Sequence, residues 1–258
     1  MAQSMVCNAK RLEIAGAAPA FVRHLACPAL MLLVLCLVSP PAWGAAERVM
    51  DKEIAVTEKG LSVSIHYPVL NIAAIDEDIQ DWAQQTATAF VSEFSEMPND
   101  PSEASEQPRD RVYELKATYR IVRASPKVVS VVWDVWSFTG GAHGNLDIIA
   151  FVYDSGSGQP LELSDLFADE QSALNLLSAL SYDKLPAMLG SMADEEMIKS
   201  GATPDLDNFT CVVPTPEGVR IFFQPYQVAP WAAGPQEVDI SLQELQDAGP
   251  RRAYWGLR

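Results

Sequence analysis

The residues best equipped for chemistry lie in Thr139-Gly140-Gly141-Ala142-His143-Gly144-Asn145, directly after an apolar run ending Trp136-Ser137-Phe138. Three glycines within five positions permit positive φ and close backbone approach, so the loop presents its histidine at a bend. Oriented by Asp134 or Asp147, that imidazole would be a general base for a hydrolase. The alternative is a tight turn whose histidine bonds to neighbouring backbone. His143 and Asp147 are also two potential legs of a metal site with His66 as a third, although no spacing in the sequence brings the three together.

Other reactive side chains carry less. Cys211 sits in the alternating run Phe209, Cys211, Val213 and reads as a small core hydrophobe, because a nucleophilic thiolate needs an electropositive setting. Ser181-Tyr182-Asp183-Lys184 has the serine–lysine spacing of penicillin-interacting enzymes, but no lysine-threonine-glycine element accompanies it. Gly156-Ser157-Gly158 is not a nucleophile elbow, and no glycine loop followed by lysine is present to cradle phosphate. No catalytic residue, metal or cofactor is therefore assigned. Of the tryptophans, Trp82 and Trp133 fall at core spacing, which leaves Trp136 and Trp231 to line a sugar site.

The balance of 18 Lys+Arg against 34 Asp+Glu gives a net charge of −16 over 258 residues. A phosphate backbone would be repelled by such a surface, and no basic cluster offers a local exception, so nucleic acid is excluded as a partner. At 48% hydrophobic and 20% charged residues the chain has a globular composition, neither disordered nor fibrous.

Residues 1–46 read as a secretory signal peptide. Lys10, Arg11 and Arg23 precede an apolar run over residues 25–38, which is followed by small residues at 42–46. The run is shorter than the ~20 residues a bilayer needs, so a cleaved leader and a periplasmic protein are expected, with an uncleaved anchor as the alternative. Cleavage would remove Cys7, Cys27, Cys36 and His24. The exported part would keep Cys211, His66 and His143, too few for an intrachain disulfide or a three-histidine or four-cysteine metal site.

The elements that must position the loop follow from periodicity. Alternation over residues 53–70 predicts a half-buried strand. Ile75, Ile79, Trp82, Thr86, Phe90 and Phe94 recur at helical spacing within 72–94, with acids in the first turns. Residues 95–110, rich in proline and acid, predict a loop. Strands are expected over 112–124, 127–138 and 145–153, a helical region over 163–189, and an acidic connector over 193–207. Short strands at 209–213, 219–223 and 237–240 and a turn of helix at 241–246 complete the chain. The expected architecture is α+β: a central, mostly antiparallel sheet covered on one face by helices, in a single domain spanning 47–258.

Three segments in order carry a family resemblance: Trp136-Ser-Phe-Thr-Gly-Gly-Ala-His-Gly-Asn145, Gly158-Gln-Pro-Leu-Glu-Leu-Ser-Asp-Leu-Phe167, and Gly218 to Gly234 with its Tyr226-Gln-Val-Ala-Pro-Trp231-Ala-Ala-Gly core, followed by Glu237-Val-Asp-Ile240. Together they resemble an exported domain of unknown function shared by the anti-sigma factor RsiV and the N-terminal part of the peptidoglycan deacetylase PdaC. The resemblance spans roughly residues 50–247. It implies an α+β fold around an antiparallel sheet, and the lysozyme binding of RsiV. It does not carry deacetylase chemistry, whose metal-dependent domain and its aspartate and paired-histidine motifs are missing here. Nor does it carry the anti-sigma role, because residues 1–24 are poorly patterned for a sigma-binding segment.

On this reading the chain is an exported, non-enzymatic binding module that engages a basic, cell-wall-active protein such as a lysozyme, its acidity suiting a cationic partner. The alternative is a peptidoglycan- or glycan-binding accessory domain of the cell envelope, and beyond that a hydrolase using His143. The candidate binding residues are Trp136, Gly140, Gly141, His143, Asn145, Tyr226 and Trp231.

Overall fold

The computed structural model describes residues 49–58, 60–95 and 113–257. The expected leader at 1–46 and the acidic loop beyond Ser95 lie outside the described residues. The described residues, from Val49 on, belong to one compact unit.

The alternating run over 53–70 is a hairpin rather than one strand. β1 (Met50–Glu58) and β2 (Leu61–Val69) pair antiparallel, with Ile54 opposite Ile65, and the chain reverses at Gly60, whose φ of +79° suits glycine. The apolar residues change phase there, from even positions (Ile54, Val56) to odd ones (Leu61, Val63, Ile65). α1 (Ala73–Phe94) then crosses over the sheet, so β3 (Tyr113–Ser125) lies parallel to β2. The N-terminus of α1 is tied down by the Asp76 carboxylate, which accepts the Leu70 N–H at 2.6 Å. β4 (Val128–Phe138) and β5 (Asn145–Asp154) follow antiparallel, giving a five-stranded sheet in the order β1-β2-β3-β4-β5.

One face of this sheet is covered by α1. Ile75, Ile79, Ala83, Ala87 and Phe90 pack on Val63, Ile65, Ala117, Val131 and Trp133, all buried. Each Ile, Val or Phe among them contributes roughly 1.5–3 kcal/mol by leaving water. Trp133 is the centrepiece: its ring lies 4.5 Å from that of Trp82, and its indole N–H donates to the His66 carbonyl at 3.1 Å.

After α2 (Leu163–Leu166) and α3 (Glu170–Leu189), the expected acidic connector contains a helix, α4 (Glu195–Gly201). Its signal was present in the sequence: Asp194 caps the helix by accepting the Glu196 and Met197 N–H groups, and Glu195 and Glu196 sit in the first turn where the helix dipole favours them. β6 (Val212–Thr215), β7 (Gly218–Phe223) and β8 (Gln236–Ser241) form a second, antiparallel sheet in the order β6-β7-β8.

The class is therefore α+β, with the strands divided between two sheets. The division follows from burial on both faces of the second sheet. Phe222, Cys211 and Val213 pack against Val132 and Ile148 of the first sheet. Ile221, Phe223, Val238 and Ile240 face Leu177 and Leu185 of α3. The layers run α1, first sheet, second sheet, α3. At the C-terminal end, Trp255 is buried and its indole N–H donates to the Gly218 carbonyl at 2.9 Å, closing the second sheet from below. No helix among the described residues is long and apolar enough to cross a membrane.

Candidate binding site

The Gly-Gly-Ala-His-Gly loop joins β4 to β5, and its shape depends on two glycines. Gly140 adopts φ of +86°. Gly144 lies against the indole of Trp136 so closely that a Cβ there would fall 2.5 Å from ring atoms. Trp136 thus serves as the bed of the loop, and it also stacks on Phe138, with centroids 6.3 Å apart and planes within 10°. His143 projects from the loop into solvent, and its Nδ1 lies 2.7 Å from the Gly144 carbonyl, to which it donates.

A second segment, between β7 and β8, meets this loop. Gln224 anchors it by completing the outer edge of β5: its Oε1 accepts the Ile148 N–H and its Nε2 donates to the Ile148 carbonyl, both at 2.7 Å. Gln227 holds the segment from the other side, donating to the Gly201 and Asn208 carbonyls at 2.8 and 3.0 Å. Between these anchors Tyr226 takes φ of +68°, an uncommon and strained conformation for a bulky residue, and its side chain is 55% exposed. Trp231 opens a short 3-10 turn that ends at Gly234.

The two segments bring three rings together. The Trp231 indole stacks on the His143 imidazole (centroids 4.9 Å, planes 23° apart) and on the Tyr226 phenol (5.6 Å, 28°). His143, Tyr226 and Trp231 therefore form one surface stack assembled from positions more than eighty residues apart. Trp136, Gly140 and Gly141 belong to the bed and the turn of the loop rather than to the stack. Asn145 is not at the stack: the register places it opposite Ser137, on the face of the sheet that carries α1, where its amide donates to Asp147 at 2.9 Å.

The acids expected to orient His143 are engaged elsewhere. Asp134 holds Arg120 at 3.0 Å, and Arg120 also reaches Glu237 at 3.3 Å and lies 4.8 Å over the Phe222 ring. Asp147 is committed to Asn145, and burial pushes its carboxyl above the usual range despite that bond. His66 lies on the β1–β2 hairpin between Asp51 at 3.0 Å and Glu53 at 3.7 Å, so it does not join His143 and Asp147. Among the described residues no group of three or more His, Cys, Asp or Glu stands close enough to hold a metal ion. Cys211 is buried, its thiol 3.3 Å from the Ile148 carbonyl.

The residues sequence reasoning missed are those that tie the site together. Gln224 and Gln227 carry no periodic signal, and the Arg120–Glu237 pair joins strands far apart in the chain. A cleft of about 410 Å³ opens beside the bidentate Arg220–Asp239 pair, lined by Thr215, Glu217, Arg220, Asp239, Ser241 and Glu244. None of the candidate binding residues named from the sequence lines it.

Two family profiles match the chain in succession. Residues 54–146 match one described as "Deacetylase PdaC", and residues 164–243 match one described as "Protein of unknown function (DUF3298)". The first covers the five-stranded sheet up to the start of β5, the second runs from α2 to the end of the second sheet. Among curated proteins, the chain is 26% identical over 189 residues to the peptidoglycan-N-acetylmuramic acid deacetylase PdaC of Bacillus subtilis. That match takes in 73% of this chain but 39% of the deacetylase. It is 25% identical over 206 residues to the immunogenic protein MPT64 of Mycobacterium tuberculosis, covering 75% of this chain and 85% of that protein. In fold it resembles two solved DUF3298-family structures. One is from Pseudomonas aeruginosa (TM-score 0.53, 17% identity, 81% of this chain and 100% of that one). The other is from Bacteroides fragilis (TM-score 0.51, 18% identity, 81% and 96%).

Proposed function

We propose that this chain is an exported, non-catalytic recognition module of the cell envelope that holds the sugar rings of a glycan on the stack of Tyr226, Trp231 and His143. The observation that carries this reading is the stack itself, in which two distant segments present three rings at the surface. Aromatic faces offer large, rigid contact area to the C–H faces of a sugar ring, while the phenol and imidazole edges supply hydrogen bonds. The strained backbone of Tyr226 supports the assignment, because an exposed tyrosine held at positive φ gains nothing for the core. The name of the Bacillus relative points to peptidoglycan as the glycan class. Residues 1–46 act as the leader in this scheme, the domain at 47–258 as the binding unit, and the periplasm as its compartment.

Calorimetric titration with soluble peptidoglycan fragments tests this. Wild-type protein binds, and Trp231→Ala and Tyr226→Ala each weaken binding by about tenfold or more with the fold intact, as loss of a central aromatic anchor does. Equal affinity in all three proteins removes the stack from the reading.

A second reading, a basic protein partner such as a lysozyme, is favoured by the net charge of −16 and by the exposed carboxylates of Asp51 and Glu53 on the β1–β2 hairpin. Such a surface steers cationic partners. Titration with a c-type lysozyme at ~150 mM salt, where the Debye length is ~8 Å, separates recognition from simple attraction, with cytochrome c as the basic control. Binding to lysozyme alone supports the reading; equal weak binding to both overturns it.

A further inference from the structure

We propose that β1 is a dimerisation strand, pairing antiparallel with β1 of a second copy of this chain about a two-fold axis at Ala55. The five-stranded sheet has two edges. The β5 edge is closed, by Gln224 on Ile148 and by the Leu161 N–H on the Val152 carbonyl at 2.8 Å. Among the described residues no hydrogen bond reaches the outer edge of β1, and an uncovered nine-residue edge is a template for strand pairing.

The sequence of β1 selects both the partner and the register. A two-fold axis at Ala55 sets Lys52 opposite Glu58, Ile54 opposite Val56, and Glu53 opposite Thr57. Residues of like parity meet in this register, so outward-facing backbone groups of one copy meet those of the other. Lys52, Ile54, Val56 and Glu58 share the face that carries α1, because Ile54 lies opposite Ile65 and side chains alternate. That face therefore gains two ion pairs at its ends and two aliphatic pairs at its centre, the cross-strand combinations that stabilise sheets. Ile54 and Val56 are half-buried in the single chain, and the pairing covers what remains. Neighbouring registers do worse. An axis at Glu53 opposes two carboxylates, one at Ile54 forms no opposite-charge pair, and one at Val56 sets Ile54 against Glu58. A single strand pair is a small interface, so the dimer is concentration-dependent.

Sedimentation velocity on the full chain over about a hundredfold range of concentration reads this directly, since the weight-average mass rises toward twice that of one chain as a concentration-dependent interface fills. Lys52→Glu and Glu58→Lys each replace both ion pairs by like-charge pairs and weaken the dimer by about tenfold, while the double variant, with both pairs reversed, returns to within about threefold of wild type. Lys52 and Glu58 are exposed, so the variants keep the fold, which circular dichroism verifies. A chain that stays monomeric throughout, or a double variant that dimerises no better than the singles, overturns the proposal. Glycan binding at the ring stack is independent of either result.

Discussion

Gly144 rests on the indole of Trp136, with the position of a Cβ 2.5 Å from the ring atoms Cε2, Cζ2 and Nε1. The contact explains why the loop is glycine where it touches the sheet, and how His143, the preceding residue, comes to stack on Trp231 at 4.9 Å. Any side chain at 144 lifts the loop from its bed.

Gly144→Ala is therefore expected to cost about 1–3 kcal/mol, as overpacking does, and to move His143 away from Trp231. A lowered melting temperature together with an altered near-ultraviolet tryptophan signal checks it. An alanine variant with both unchanged would show that the loop has room to spare.

Gln224→Leu removes the acceptor of the Ile148 N–H and leaves that group facing an apolar side chain, while the Ile148 carbonyl keeps only the weak thiol donor of Cys211. Unsatisfied groups of this kind cost about 1–3 kcal/mol. The segment bearing Tyr226 and Trp231 loses its anchor as well, so glycan affinity falls although no ring has been changed. Hydrogen exchange at the Ile148 amide, protected in wild type and fast in the variant, separates this from a general loosening of the fold.

Gly201 and Gly218 have no room for a side chain, for backbone reasons. A Cβ at Gly201 would overlap the Gln227 carbonyl oxygen, and one at Gly218 the Ile240 carbonyl oxygen. Backbone cannot rotate aside as a side chain can. Both alanine variants are expected to lose at least the ~1–3 kcal/mol typical of overpacking, and Gly201→Ala also displaces Gln227 and the segment behind the ring stack. Chemical denaturation curves measure the loss.

The pH dependence of stability separates two carboxylates of opposite sign. Burial raises the Asp147 carboxyl above its ordinary value of 3.8, so its favourable contribution is complete below that value and is lost as pH rises through the folded-state value. Asp147→Asn, which can still accept from Asn145, therefore raises the melting temperature at pH 7, and the gain shrinks toward pH 3. Glu244 behaves in reverse. Lys184 at 2.9 Å, with Ser241, lowers it from 4.5 to about 2, so its contribution is present above pH 4.5 and lost as pH falls toward 2. Melting curves of wild type, Asp147→Asn and Lys184→Ala between pH 2 and 7 test both signs.

The α+β class, α1, β3, β4, β5 and β7 were legible in the amino-acid sequence, α1 because Ile75, Ile79 and Phe90 bury one face at helical spacing, and the strands because short apolar, β-branched runs such as Val128 to Trp133 lie between turn residues. The glycines of the 139–145 loop and the buried setting of Cys211 were legible for the same local reason. The hairpin at Gly60 hid in a phase change between Val56 and Leu61, and α4 behind an acidic composition that is itself a capping signal. What only the tertiary structure decided was which segments meet. Two sheets replace one because Phe222 and Ile221, adjacent in sequence, bury opposite faces against different layers. Periodicity reports that a face is buried but not what buries it. The pairing of His143 with Trp231, and of Asp134 with Arg120 rather than His143, is likewise set by side chains such as Gln224 that dock distant backbone and leave no periodic trace in the chain.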